Sequence, residues 1–221
     1  MHRHLQKEER HIEILDDFFF NAFDYLRANE IAGDYLEFGC GAQVISFRLA
    51  AKYRSMFYNR PRLWAFDSFR GLPQPTEDDI HPGWEKGSMA VSADEFRAIM
   101  ATTGVKNEEY RIIEGFFDAT LQGSSPATHG IESTAFAFID CDYYSSTVPV
   151  LAFLSHAFAE GALLAFDDWH CYRSAPNKGQ QRAFREFREV AVHLEFEPFL
   201  SWGWHGHSFI VRHSKARTEL I

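Results

Sequence analysis

Ala135-Phe136-Ala137-Phe138-Ile139-Asp140-Cys141-Asp142 is an unbroken apolar run that ends on acids. Short continuous runs of this kind read as strands buried on both faces of a parallel sheet. The same figure recurs on either side. Tyr35-Leu36-Glu37-Phe38-Gly39-Cys40-Gly41 and Leu63-Trp64-Ala65-Phe66-Asp67 precede it, and Ala162-Leu163-Leu164-Ala165-Phe166-Asp167-Asp168 follows. In open parallel sheets, ligands bind in the crevice outside the carboxyl ends of the strands. Strands that each deliver a carboxylate to that edge therefore describe one site. The first two suit a nucleoside cofactor, and the last two a divalent cation.

Helical periodicity fills the gaps. Ile12, Leu15, Phe19, Phe23 and Leu26 recur at three- and four-residue steps within 8–29, a helix that Gly33 ends. Further helices are expected over 44–53, near 92–103, over 145–159 and over 177–190, with a strand near 110–114. Ser145 or Ser146 is the expected N-cap of the 145–159 helix, and Gly161 its end and the start of the next strand. Strands near 193–199 and 207–212 read as a closing hairpin. The alternation of strand and helix makes a doubly wound α/β domain the expected fold. Residues 1–221 read as a single domain, with 1–32 a helical extension and 214–221 a poorly ordered tail. The stretch from Gly71 to Gly87, with Pro73, Pro75, Pro82 and Trp84, reads as a long loop that closes over a ligand.

Composition narrows the function. The chain has 221 residues, 46% of them hydrophobic, which suffices for one sizeable core. The 22 phenylalanines point to a core packed with large rings. A net charge of −9 argues against non-specific nucleic-acid binding, which needs clustered Lys and Arg. No apolar run reaches the roughly 18 residues of a membrane span. Met1 to Arg10 is charged and carries no signal-peptide pattern, and Cys40, Cys141 and Cys171 form no CxxC pair. A cytoplasmic protein with reduced thiols is the expectation. Homo-oligomerisation is left open.

The loop Glu37-Phe38-Gly39-Cys40-Gly41 lets the backbone turn tightly and approach a ligand. Val44 and Ser46 follow instead of a third glycine, and Glu37 would repel a pyrophosphate, so a dinucleotide fits poorly. A cofactor with a cationic, phosphate-free end fits better, and S-adenosylmethionine is one. Asp67, at the next strand end, can accept hydrogen bonds from both ribose hydroxyls. The plainer alternative is a Gly-rich turn beside an acid. Asp140, Asp142, Asp167 and Asp168 are hard oxygen donors suited to Mg²⁺; the alternative makes them helix caps, with Asp142 serving the 145–159 helix. Asp140 is the first candidate for base or metal ligand, and His170 the second candidate for base. Trp202, Trp204, His205 and His207 read as a core-packed hairpin or a wall of an acceptor pocket.

Glu37-Phe38-Gly39, Phe66-Asp67-Ser68-Phe69-Arg70-Gly71-Leu72-Pro73 and Glu114-Gly115-Phe116-Phe117 resemble the macrocin O-methyltransferase family. So do Ile139-Asp140-Cys141-Asp142-Tyr143-Tyr144-Ser145-Ser146-Thr147, Phe166-Asp167-Asp168-Trp169 and Gly179-Gln180-Gln181-Arg182-Ala183. The resemblance implies a class I methyltransferase with a seven-stranded, mostly parallel sheet and helices on both faces. It implies Mg²⁺-assisted transfer from S-adenosylmethionine to a hydroxyl of a small molecule, such as a sugar or diol in natural-product biosynthesis. Under it, Glu37, Gly39 and Gly41 line the methionine end, Asp67 holds the ribose flanked by Ser68 and Phe69, and Gly115 and Phe116 sit by the adenine. Asp140, Asp167 and Asp168 hold the metal. Two other readings stand beside it: a non-catalytic S-adenosylmethionine-binding module, and a metal-dependent phosphohydrolase, for which Lys178 and Arg70 are the obvious nearby cations.

Overall fold

A computed structural model describes residues 2–214, with side chains from residue 8 onward. Residues 215–221, almost all of the expected tail, lie outside the described residues. The strands are β1 (Asp34–Phe38), β2 (Leu63–Asp67), β3 (Tyr110–Glu114), β4 (Thr134–Ile139), β5 (Phe158–Phe166), β6 (Leu194–Trp202) and β7 (Gly206–His213). They form one seven-stranded sheet in the order β3-β2-β1-β4-β5-β7-β6. Pairing is parallel from β3 through β5, and β7 runs antiparallel between β5 and β6. The chain reverses its direction of travel across the sheet between β1 and β4, which opens a crevice there. Phe38 lies opposite both Phe66 and Ile139, and Ile139 opposite Phe166, so these strands end level. Gly39, Asp67, Asp140 and Asp167 therefore share one edge.

Every residue of β1 and β4 is buried, as their apolar runs require. Alternate side chains serve opposite faces. Tyr35, Phe136 and Phe138 meet Phe18, Phe19 and Phe23 of α1 (His2–Ala28). Leu36, Phe38, Ile139 and Phe166 meet Val150 and Leu154 of α5 (Tyr144–Leu154) and Phe184 and Phe187 of α6 (Gly179–Val190). The segment expected as an N-terminal extension thus supplies a wall of the core, with Phe18 stacked on Trp202 at 3.7 Å between ring centroids. The helices α2 (Ile45–Tyr53), α3 (Ala93–Ala101) and α4 (Phe117–Thr120) complete the layers. Among the described residues, no helix is long and apolar enough to cross a membrane.

Two boundaries differ from expectation. The 145–159 helix stops at Leu154, and β5 begins at Phe158, which pairs with Thr134. Gly161 lies inside β5 at φ +80°, where the register with β4 shifts. Its left-handed backbone makes a bulge, not a strand start. Neither Ser145 nor Ser146 caps α5. Tyr143 holds the N-cap position without a side-chain bond, and Asp79, from the 71–87 loop, accepts from the Ser145 N–H at 3.1 Å.

Candidate active site

At the end of β1 the chain turns at Gly39 (φ +89°) against the backbone of β4's continuation. A Cβ at Gly39 would run into the Asp140 carbonyl oxygen, so only glycine permits the close approach of these strand ends. Gly41 (φ +59°) faces open space instead, since a Cβ there would meet nothing within 4 Å. Asp67, closing β2, ties the neighbouring loops together. Its Oδ2 accepts from the Cys40 N–H at 2.7 Å and its Oδ1 from the Phe69 N–H at 2.6 Å. Burial pushes its carboxyl pKa up, and those backbone donors partly counter the shift. The Ser68 hydroxyl donates to the Gly71 carbonyl at 2.8 Å.

These residues surround a cavity of about 430 Å³. Gly39, Gly41, Asp67, Ser68, Gly115 and Phe116 line it on one side, and Asp140, Asp142, Ser145 and Ser146 continue the wall. Gly71 through Gln74, with Thr76, Lys86, Ser88 and Met89, line it as well. Two expected cofactor residues stand back from the wall. Phe69 is buried with its ring against Phe96, at 5.6 Å between centroids. Glu37 is fully buried beneath the Gly39–Gly41 turn, where Ser46 Oγ donates to it at 2.8 Å and the Tyr35 hydroxyl donates in a short contact. Burial raises its carboxyl to about 8 despite these donors, and the nearby Asp67 charge adds to the rise.

Asp140 and Asp142 of the cavity wall form a tight group with Asp168 behind them. Carboxylate oxygens of Asp140, Asp142 and Asp168 all lie within 4.8 Å of one another. Asp142 sits at φ +61°, a left-handed turn that aims its N–H at Asp168 Oδ2, 3.0 Å away. The backbone N–H of Asp168 donates to Gln180 Oε1 of α6 at 2.9 Å, and Gln180 Nε2 donates to the Ile139 carbonyl at 3.1 Å. Burial first, and repulsion from neighbouring acids second, drive the pKa values of all three well above the usual carboxylate range. Among the described residues, no Lys or Arg pairs with any of them, and the Asp140 and Asp142 carboxylates accept no hydrogen bond. Hard oxygen ligands so close together, unneutralised and part-buried, suit a divalent cation.

Asp167 and His170 are placed differently from expectation. The Trp202 indole N–H donates to Asp167 Oδ1 at 2.9 Å, and His205 Nδ1 lies 3.4 Å from the same oxygen. Burial alone would lower the His205 pKa, but its bonds to Asp167 raise it to about 9. Asp167 Oδ1 is thus engaged by Trp202 and His205, while its charge still bears on Asp140, Asp142 and Asp168, and Asp142 joins Asp140 and Asp168 in the tight group. His170 pairs through Nδ1 with Ser174 Oγ at 2.9 Å and is not on the cavity wall. Gln180, which fixes Asp168, sits in the Gly179-Gln180-Gln181 string without any local sign of that role.

The profile of the macrocin-O-methyltransferase (TylF) family matches residues 15–196, most of the chain. The chain belongs to the macrocin O-methyltransferase family. Relatives of this family member include an 8-demethyl-8-(2,3-dimethoxy-alpha-L-rhamnosyl)-tetracenomycin-C 4'-O-methyltransferase of Streptomyces olivaceus, 26% identical over 64% of this chain and 55% of its own. A demethyldecarbamoylnovobiocin O-methyltransferase of Streptomyces niveus is 27% identical over 64% of this chain and 54% of its own. The matches span about half the length of these curated relatives. Among solved structures, the O-methyltransferase NovP superposes with a TM-score of 0.71 at 22% identity, over 90% of this chain and 79% of its own. The calicheamicin methyltransferase CalS11 follows at 0.69 and 21%, over 94% and 80%. The fold is that of class I methyltransferases, as the family resemblance implies.

Proposed function

We propose that the chain transfers a methyl group from S-adenosylmethionine to a hydroxyl oxygen of a small molecule, a sugar or natural-product diol, with Mg²⁺ assisting. The observation that carries this reading is the shared wall. Gly39, Gly41, Asp67, Gly115 and Phe116 lie on the same cavity as Asp140 and Asp142. The names of the curated relatives, which are O-methyltransferases, agree with it.

In this reading Asp67 accepts from the ribose hydroxyls, using the lone pairs its backbone donors leave free. Gly41 leaves room for the methionine end, and Glu37, set back beneath it and raised to about 8, would carry a complementary negative charge once a cationic group beside it lowers that value. Gly115 and Phe116 border the adenine. Asp140, Asp142 and Asp168 would hold the cation. Bound there, a divalent cation supplies Lewis-acid character that lowers the pKa of an acceptor hydroxyl. The acceptor oxygen forms a bond to the methyl carbon as the carbon–sulfur bond breaks, leaving S-adenosylhomocysteine. Asp140 is the candidate to take the hydroxyl proton, being on the wall with a carboxylate that accepts no other bond. His170 serves this less well, since it is not on the cavity wall. Lys86 is the single Lys or Arg on the cavity wall among the described residues, which is poor provision for phosphate and weakens the phosphohydrolase reading.

Titration calorimetry with S-adenosylmethionine tests the cofactor assignment. The expected result is one site per chain, and no binding to the folded protein would overturn it.

A further inference from the structure

We infer that Asp79 is a positioning residue that latches the 71–87 loop over the cavity. The proposal rests on the reading that this cavity holds S-adenosylmethionine, but it concerns a side chain that the proposed chemistry does not use. Asp79 is 0% exposed although it lies in a loop without helix or strand. Its Oδ1 accepts from the Ser145 N–H at 3.1 Å. Its Oδ2 accepts from the hydroxyls of Ser145 and Thr76, both at 2.6 Å, and from the Thr76 N–H at 3.2 Å. Its main-chain carbonyl accepts from the Tyr172 hydroxyl at 2.9 Å. A buried carboxylate is costly unless it is fully hydrogen-bonded, and these donors, with the N-terminal end of α5, provide that.

The bonds join three separate pieces of the site. Thr76, from the loop, and Ser145, from α5, both line the cavity. Tyr172 stands four residues beyond Asp168, in a turn where Tyr172, Arg173 and Ser174 all have left-handed φ. At the other end of the loop the neck is closed by Gly87 N–H to the Leu72 carbonyl at 2.9 Å and Leu72 N–H to the Ser88 carbonyl at 3.0 Å. Asp78 to Arg182 at 2.8 Å adds a partly exposed ion pair that contributes little. Farther along the loop, Trp84 meets Tyr172 and Tyr143 at 5.4 and 6.0 Å between ring centroids, and His81 meets Tyr172 at 5.1 Å. The buried polar attachment of the loop tip runs through Asp79. With the neck held by its own backbone, releasing Asp79 frees the loop tip without unfolding the sheet. The latch sets how fast a ligand leaves the cavity, more than how fast it enters.

The test uses the full chain and two probes, Glu-C endoproteinase and S-adenosylhomocysteine. Glu77 is an exposed residue two positions before Asp79, away from the neck, and cleavage there requires the loop tip to open locally. In folded Asp79→Ala, Glu77 should be cut at least about tenfold faster than in wild type, each rate taken relative to its own denatured chain, and S-adenosylhomocysteine should dissociate about tenfold faster with association changed less than about twofold. A purely structural defect would lower the folded fraction but leave the dissociation rate of the folded protein unchanged. The Thr76→Val/Ser145→Ala double variant keeps the aspartate while removing both hydroxyl donors, and should move the same two readouts in the same direction; it decides the question if Asp79→Ala does not fold. Glu77 cleavage within about twofold of wild type in a folded variant would overturn the latch. Failure of wild type to bind S-adenosylhomocysteine would instead overturn the cofactor reading, and Glu77 cleavage alone would then decide the latch.

Discussion

The Cys40 backbone N–H donates to Asp67 Oδ2 at 2.7 Å, so the turn after β1 is held by the carboxylate that ends β2. Phe69 N–H occupies the other oxygen. The side chain is thereby fixed before any ligand arrives, and it lines the cavity. Asp67→Ala should weaken S-adenosylmethionine binding by about 1.5–3 kcal/mol, the scale of hydrogen bonds to a charged group. Calorimetry on the folded variant checks this, and an unchanged affinity would remove Asp67 from the ribose site.

Gly39 and Gly41 should behave differently although they are two residues apart. A side chain at Gly39 collides with the Asp140 carbonyl, so Gly39→Ala should cost about 2–3 kcal/mol of stability in denaturant unfolding. Gly41→Leu carries only the left-handed backbone penalty, roughly 1–2 kcal/mol, because its Cβ meets nothing. Its bulk should instead cut cofactor affinity by about tenfold or more. If Gly41→Leu bound the cofactor as wild type does, the methionine end would lie elsewhere.

Glu37 gives the stability a pH dependence of predictable sign. Its folded-state carboxyl is raised from 4.5 to about 8, so the native protein holds this proton more tightly than the unfolded chain. The contribution is complete below the ordinary carboxylate range and is lost as pH rises toward and through 8. Glu37→Gln keeps an uncharged group of similar shape and should flatten the fall in unfolding free energy across that window. Urea titrations at a series of pH values make the comparison; parallel profiles for the two proteins would show that Glu37 is not the titrating group.

The acidic group makes a prediction about metal. Asp168→Asn should abolish Mg²⁺ binding measured by calorimetry while changing S-adenosylmethionine affinity by less than about twofold, since Asp168 is not on the cavity wall. Retained Mg²⁺ binding in both Asp168→Asn and Asp142→Asn would leave these carboxylates without a metal role.

The sheet and its carboxylate-bearing edge were legible because β1, β2, β4 and the second half of β5 are buried on both faces and must be apolar almost throughout. The hairpin and the helices followed from periodicity. What lay beyond reach depends on contacts far apart in sequence. Nothing in Asp167-Asp168 says that Trp202, from β6, donates to Asp167, and nothing in Asp140-Cys141-Asp142 says that the left-handed backbone of Asp142 bonds its N–H to Asp168, 26 residues away. Phe158 read as helix because Ala157, Phe158 and Ala159 are apolar, whereas pairing with Thr134 draws it into β5. Asp79 caps α5 across 66 residues of chain, a relation no local pattern encodes.

Methyl transfer itself tests the central claim most directly. The protein would be incubated with methyl-labelled S-adenosylmethionine and a panel of glycosides and catechols bearing vicinal hydroxyls, in Mg²⁺ and again in excess chelator, with products read by mass spectrometry. The account predicts label on a hydroxyl oxygen of at least one acceptor in Mg²⁺, lost in chelator and restored when Mg²⁺ is returned. Full transfer to that acceptor in excess chelator would contradict the metal role, and no transfer to any acceptor by a protein that binds the cofactor would favour a non-catalytic binding module.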